Sequence, residues 1–337
     1  MSEQIAILGG GAFGTACAII LARDAGRDVT LWARQENLAA EIAAGRENIR
    51  RLPGVEIPER IQVTSEADRA LHNASLVVLA IPSKFLRTAL PPLREAIGPH
   101  VPVISGVKGI EPETLQRPSE LIRELLGDRP IVALGGPAHA EEFARRQPTS
   151  VVAAGERDIA ERVQSVFSTD RFRVYTNEDL VGVELAGALK NIIGIAAGIS
   201  DGLGHGDNAK SALLTRAIVE IARFGEAYGA DPATFAGLAG IGDLIATCVS
   251  PHGRNRRVGI RLGAGESLAA ILDDMPAVAE GVTTAQSVDY LARTRGIDMP
   301  ITRAVTAVLF ENKPPIEATK DLMHRPAKAE AVAKGEE

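Results

Sequence analysis

The feature that most constrains this chain is a cluster of glycines close to its start. An apolar run, IAIL, passes directly into Gly9, Gly10, Gly11, Ala12, Phe13 and Gly14, and then into the helical stretch TACAIILARDAG. Glycine costs backbone entropy, so a chain that places it at fixed offsets needs close approach or an unusual turn there. Gly9, Gly11 and Gly14 satisfy G-x-G-x-x-G in a strand-turn-helix context. In that pattern the first glycine permits the tight turn and the second lets a pyrophosphate approach the backbone. The third lets helix and strand pack closely, and the helix N-terminus favours the anion. A dinucleotide site at Gly9, Gly11, Ala12, Phe13 and Gly14 is therefore expected.

The pattern beyond the loop agrees with it. IAIL, VTLWA, SLVVLA, PVIS, IVALGG and SVVAA read as buried strands, with helices such as TACAIILARDAG and SELIRELLG between them. Alternation of this kind is the sequence form of a parallel sheet wound by right-handed crossovers. FRVYT adds a last strand near Thr176, and after Asn177 helical periodicity dominates. The expected fold class is α/β: an N-terminal doubly wound, Rossmann-type parallel sheet over residues 1–180, then an all-helical domain over 181–325. The polar, repetitive tail, 326–337, is expected to fray. A length of 337 residues suits two domains better than one core.

An NAD-specific site usually carries an acidic residue at the tip of the second strand, where it meets the ribose 2′-hydroxyl. Here that strand, VTLWA, ends at Arg34, and the first carboxylate is Glu36 in the next helix. A guanidinium there suits a 2′-phosphate, so NADP(H) is favoured with NAD(H) possible; a plain surface arginine is the other reading.

The second half opens with VELAGALKNIIGIAAGI, whose central polar pair is Lys190 and Asn191. Desolvating an unpaired ammonium costs several kcal/mol, and each helical glycine costs roughly 1 kcal/mol relative to Ala. Gly187, Asn191, Gly194 and Gly198 fall on one helical stripe with Lys190 at its border. That stripe lets a backbone or a ligand come close to the amine. Hydride arriving at a ketone leaves an alkoxide that needs a proton donor, and a desolvated lysine has its pKa lowered toward working pH. An amine that snorkels to the surface, or pairs structurally with a carboxylate, is the alternative.

Several classes are excluded or disfavoured. A net charge of -6 gives no basic footprint for nucleic acid. No uninterrupted apolar run approaches the ~20 residues of a bilayer span. The segment MSEQIAILGGG reads as the first strand of a cytoplasmic protein. Cys17 and Cys248 are too few for a disulfide framework, and the histidines lack ligand spacing, so no metal is expected.

The chain resembles the bacterial NAD(P)-dependent sn-glycerol-3-phosphate dehydrogenases. The resemblance is carried by GGGAFGTACA, KNIIGIAAGISDGLGHGDNAKSALLTR, GLAGIGDLIATCVSPHGRNRRVG and EGVTTA. It implies reduction of dihydroxyacetone phosphate to sn-glycerol 3-phosphate, the backbone precursor of phospholipids, by an enzyme that is often a homodimer. It implies that Lys190 and Asp243 are catalytic, with Thr247 one helical turn further on. It assigns the substrate phosphate to Arg254 and Asn255, with Arg254 and Glu280 also reaching the cofactor. Lys108, in SGVKG, becomes a second cation facing substrate and cofactor. The loop GGPAHAEEFA supplies Gly136 and Ala138 to the substrate and Ala140 to the cofactor. Two positions depart from the commoner family pattern: Ala138 and Gly253 each stand where a serine is usual. At Gly253 one hydroxyl contact is lost but the backbone N–H is expected to remain available; at Ala138 either Gly136 and the backbone suffice or His139 compensates. Rival readings are a nucleotide-sugar dehydrogenase, for which only Cys248 could be the nucleophile, and a non-catalytic dinucleotide sensor.

Overall fold

The structure, a computed structural model, describes residues 3–275, 279–327 and 329–330. The tail expected to fray lies mostly outside the described residues. Ten strands form: β1 (Gln4–Leu8), β2 (Asp28–Trp32), β3 (Glu47–Asn48), β4 (Leu52–Glu56), β5 (Gln62–Thr64), β6 (Leu76–Leu79), β7 (Val103–Ser105), β8 (Ile131–Gly135), β9 (Thr149–Ala154) and β10 (Phe172–Asn177). Eight of them make one sheet in the order β10-β9-β8-β7-β6-β1-β2-β5, and β3 and β4 form a separate antiparallel ribbon.

The strands are apolar because the sheet is covered on both faces. In β1, Ile5 and Ile7 enter one apolar cluster while Ala6 and Leu8 enter another on the opposite face. Strand order reverses at β1, which is flanked by β2 and β6. Ligands of such sheets bind at the carboxyl ends of the strands beside that switch point. The loops after β1, β6, β7 and β8 all open there, and they carry the glycine turn, Ser83, Lys108 and Gly136 respectively.

The large sheet is parallel, as expected, except at one pair. β9 runs antiparallel to β8, pairing Ala133 with Ala154 and Gly135 with Val152, and β10 follows β9 in parallel. A parallel return would have to carry the chain back along the sheet. Instead the connection folds into a short helix, Ala140–Phe143, at the carboxyl end. Local apolar pattern does not report strand direction, and it also misses β5, a three-residue edge strand with one buried side chain.

From Leu180 onward the described residues are helical, without a strand. The central helix, Leu180–Gly202, starts at Asp179, whose side chain accepts from the Gly182 N–H at 2.8 Å. By length and composition this helix, like the stretch Pro232–Val249, could cross a membrane. Most of Leu180–Gly202 is buried within the protein, however, and the second stretch is broken into Pro232–Phe235, Leu238–Gly242 and Asp243–Val249. The helical core also takes in Ala133, Val152 and Ala154 from the sheet, so the two halves share packing at β8 and β9.

The glycine stripe has a definite use. Helix Arg254–Gly263 crosses Leu180–Gly202 so closely that a Cβ at Gly198 would lie 2.0 Å from the Arg256 carbonyl oxygen. At Gly187, by contrast, a Cβ would only touch the Lys108 methylenes, at 3.6 Å. The two positions predict opposite outcomes. Gly198→Ala is expected to destabilise by about 1–3 kcal/mol, because backbone overlap outweighs the ~1 kcal/mol of helix propensity gained. Gly187→Ala is expected to leave stability unchanged or slightly raised. Denaturant midpoints of the two variants check this, and equal midpoints would contradict the assigned packing.

Candidate active site

At the glycine turn, Gly9 takes φ +131°, and a Cβ there would lie 2.6 Å from the Ala80 carbonyl oxygen. At Gly14 it would lie 2.0 Å from the Gly9 carbonyl oxygen. At Gly11, the residue before helix Ala12–Ile19, it would meet nothing within 4 Å. The turn is thus closed toward the protein and open at Gly11, against a helix N-terminus. That is the fit a dinucleotide pyrophosphate requires. Ala12 begins the helix and packs with Phe13 against the sheet core. Asn48, in β3, donates to the Gly10 carbonyl at 3.0 Å and to Thr15 Oγ1 at 2.8 Å, pinning the turn from outside. Arg34 is exposed just past β2, with no hydrogen bond or ion pair among the described residues.

Phe13 connects the turn to the lysine loop. Its ring packs edge-on against Phe143 and covers Gly106, where a Cβ would fall 2.4 Å from Cε1 of the ring. Two residues further on, Lys108 Nζ donates to Asp243 Oδ2 at 2.8 Å and to the Gly136 carbonyl at 2.9 Å. Asp243 Oδ1 accepts from Lys190 Nζ at 2.5 Å, and the same ammonium donates to Thr247 Oγ1 at 2.8 Å. Asp243 opens helix Asp243–Val249 but does not cap it; its carboxylate is taken up by the two lysines.

Lys190 and Asp243 are 7% and 2% exposed. Burial pulls the Lys190 pKa down to about 8; Asp243 opposes that pull and the Lys108 charge adds to it. For Asp243, burial pushes upward, but the two neighbouring ammonium groups win and hold the carboxyl below its ordinary range. Two cations around one anion leave a positive excess in a nearly dry site, poised for an oxyanion or a phosphate.

An amide chain backs this triad. Asn191 Nδ2 donates to the Lys108 carbonyl at 2.9 Å, Asn255 Nδ2 donates to Asn191 Oδ1 at 2.9 Å, and Gly281 N–H donates to Asn255 Oδ1 at 3.0 Å. The Asn255 oxygen is thereby occupied, and its amide group holds three helices together. Arg254, its neighbour, is exposed and free of hydrogen bonds and ion pairs among the described residues. Arg256 is paired with Asp201 at 2.6 Å.

At Gly253 the backbone N–H points to the Ser250 carbonyl at 3.4 Å, which corrects the expectation that it stands free. Ala138 packs against the sheet core, Ala140 is buried at the start of its short helix, and Gly136 offers its carbonyl to Lys108. His139 lies 3.5 Å from the Ala246 carbonyl, with its pKa lowered by burial. Glu280 opens helix Glu280–Arg295 and reaches across to the loop after β6, where Oε1 accepts from Ser83 N–H at 3.0 Å and Ser83 Oγ at 3.2 Å.

Sequence pattern alone does not reveal Asn48, Ser83 or the paired role of Asn191. Only Asn191 carries a signal, as the polar neighbour of Lys190 in an apolar helix. Cys248 is fully buried and its thiol is pushed up to about 12 by burial, the opposite of an activated nucleophile.

Comparison with known proteins identifies the family. Residues 4–160 match the family model described as NAD-dependent glycerol-3-phosphate dehydrogenase N-terminus, and residues 179–320 match the corresponding C-terminus. The glycerol-3-phosphate dehydrogenase [NAD(P)+] of Chlorobium phaeobacteroides is 47% identical, covering 97% of this chain and 99% of its own. The second such protein of Salinibacter ruber is 49% identical, covering 98% and 97%. A crystal structure of glycerol-3-phosphate dehydrogenase from Coxiella burnetii superposes with a TM-score of 0.92 at 34% identity, covering 96% of this chain and 99% of that one.

Asp243 is the element whose loss the triad tolerates least. Asp243→Asn leaves two buried ammonium groups facing a neutral amide. It is expected to cost about 3–5 kcal/mol in unfolding free energy and to lower kcat on the order of a hundredfold. Chemical denaturation and steady-state turnover measure both; a variant near wild type in each would contradict the triad.

Proposed function

The chain belongs to the NAD-dependent glycerol-3-phosphate dehydrogenase family, and from that premise we propose that it reduces dihydroxyacetone phosphate reversibly to sn-glycerol 3-phosphate with NAD(P)H. The observation that carries this reading is the buried Lys190 ammonium, held by Asp243 and Thr247 beside the loop that Phe13 joins to the glycine turn.

When bound, the reduced nicotinamide dinucleotide supplies the hydride that the ketone carbon accepts. The glycine turn at Gly9, Gly11 and Gly14, with Ala12, Phe13, Lys108, Ala140, Arg254 and Glu280, would hold it. Arg34, exposed past β2 and unpaired among the described residues, supports a preference for the 2′-phosphate of NADP(H) over NAD(H).

Lys190 Nζ donates the proton that the developing alkoxide needs. In the reverse direction the neutral amine accepts it from the alcohol. Asp243 aims the amine and keeps its pKa from falling further. Thr247 takes a second N–H, fixing the rotation of the ammonium so that its remaining donor is free for substrate. Lys108 adds positive potential for the oxyanion. Arg254 grips the substrate phosphate, with the second N–H of the Asn255 amide beside it. Gly136, Ala138 and Gly253 shape the wall around the substrate through backbone and volume, without a hydroxyl.

The same reading places the reaction in the cytoplasm, where its product supplies glycerophospholipid synthesis, with the chain acting as a homodimer. A nucleotide-sugar dehydrogenase would need Cys248 as an accessible thiolate, and that thiol is buried and protonated. A bare dinucleotide sensor has no use for a desolvated lysine aimed into a cationic cleft.

Loss of reduced-nicotinamide absorbance on adding dihydroxyacetone phosphate tests the reaction directly. Protonated Lys190 is the reductive form, so kcat/KM for reduction is expected to fall as pH rises through about 8, while oxidation of glycerol 3-phosphate rises through the same region. Lys190→Ala should lose on the order of a thousandfold in kcat while still binding NADPH. Near-normal turnover in that variant would contradict the role.

A further inference from the structure

Glu280 and Ser83 come from opposite halves of the protein, 197 positions apart, yet their side chains meet at the switch point of the sheet. Ser83 follows β6 and is buried, 4% exposed, so its hydroxyl has no water to fall back on. Both of its donors, N–H and Oγ–H, go to a single oxygen, Glu280 Oε1. Glu280 Oε2 has no hydrogen-bond partner among the described residues, while the Arg254 charge bears on the carboxylate. The clasp rests on the lysine loop: a Cβ at Gly109 would lie 2.7 Å from Ser83 Oγ and 3.6 Å from Glu280 Cδ, so only glycine lets that loop lie flush. Burial pushes the Glu280 carboxyl above its ordinary range, and the Ser83 N–H, the Arg254 charge and the Ser83 hydroxyl oppose that push.

We infer that Ser83 is a positioning residue for the cofactor, which acts through Glu280: it locks one carboxylate oxygen so that the other is presented as a fixed acceptor to a hydroxyl or amide N–H of the dinucleotide. The inference rests on the proposed dehydrogenase reaction and deepens it. A carboxylate free to rotate would spread its two oxygens over several directions, and binding the dinucleotide would then have to order it. With Oε1 held by two donors, that ordering is complete before the cofactor arrives. The interaction also spans the cleft, so the clasp sets the distance between helix Glu280–Arg295 and the loop after β6.

The test is a double-mutant cycle read by NADPH binding, with Ser83→Ala, Glu280→Ala and the double variant titrated by nicotinamide fluorescence and then assayed at saturating NADPH. Ser83→Ala is expected to weaken NADPH binding about tenfold. Its KM for dihydroxyacetone phosphate and its kcat should each change by less than about twofold, and its thermal midpoint should stay close to that of the wild type. Because Ser83 acts through Glu280, the double variant is expected to bind NADPH no worse than Glu280→Ala alone. Unchanged NADPH affinity in Ser83→Ala, or two effects that simply add, would overturn the inference. This pattern of NADPH binding across the variants, together with a wild-type protein that leaves dihydroxyacetone phosphate unreduced, would overturn the reaction and uphold the clasp.

Discussion

One carboxylate between two ammonium groups organises this protein. Asp243 sits where the helical half meets the lysine loop of the sheet, and its two oxygens divide between Lys190 and Lys108. Lys190 alone would be a costly charge in its buried position, while Lys108 is only partly buried. Paired through Asp243 they are held, and the positive excess left over is what an anionic substrate and a developing oxyanion would offset. The pairing also spans the cleft, so the chemistry and the docking of the halves depend on the same contact.

The packing around that contact is arranged to keep it dry and fixed. Gly198 lets helix Arg254–Gly263 lie against Leu180–Gly202 at backbone distance, and Gly194 leaves room for the Thr247 methyl and the Asn255 Cβ beside the lysine helix. Asn191 and Asn255 then use their amides to tie the Lys108 carbonyl to the start of helix Glu280–Arg295. Buried amides of this kind are worthwhile only when nearly every donor and acceptor is met, and here the chain of bonds is continuous. The outcome is a buried ammonium held by partners from other segments of the chain.

Much of this is legible in the sequence, for physical reasons. The glycine turn is legible because each glycine answers a local steric need within one strand-turn-helix unit. Lys190 is legible because an ammonium in an apolar, glycine-bearing helix calls for compensation. Strand direction is not, since β9 has the same apolar run whether it lies parallel or antiparallel to β8. Nor is β5, too short to show a period. Ser83, Asn48 and the engagement of Asn255 depend on partners 26 or more positions away in the chain, and no local pattern announces such a partner. The Gly253 N–H bond to Ser250 closes the turn Ser250-Pro251-His252-Gly253, which the sequence does mark, with proline at its second position and glycine at its fourth.

The central claim is that burial beside Lys108 lowers the proton affinity of Lys190 while Asp243 keeps it from collapsing. Side-chain NMR on protein carrying 15N-labelled lysine measures this directly, with the Lys190 signal identified by its loss in Lys190→Met. The account predicts a titration midpoint of about 8 for that amine. A midpoint at the ordinary lysine value of 10.5 would contradict it.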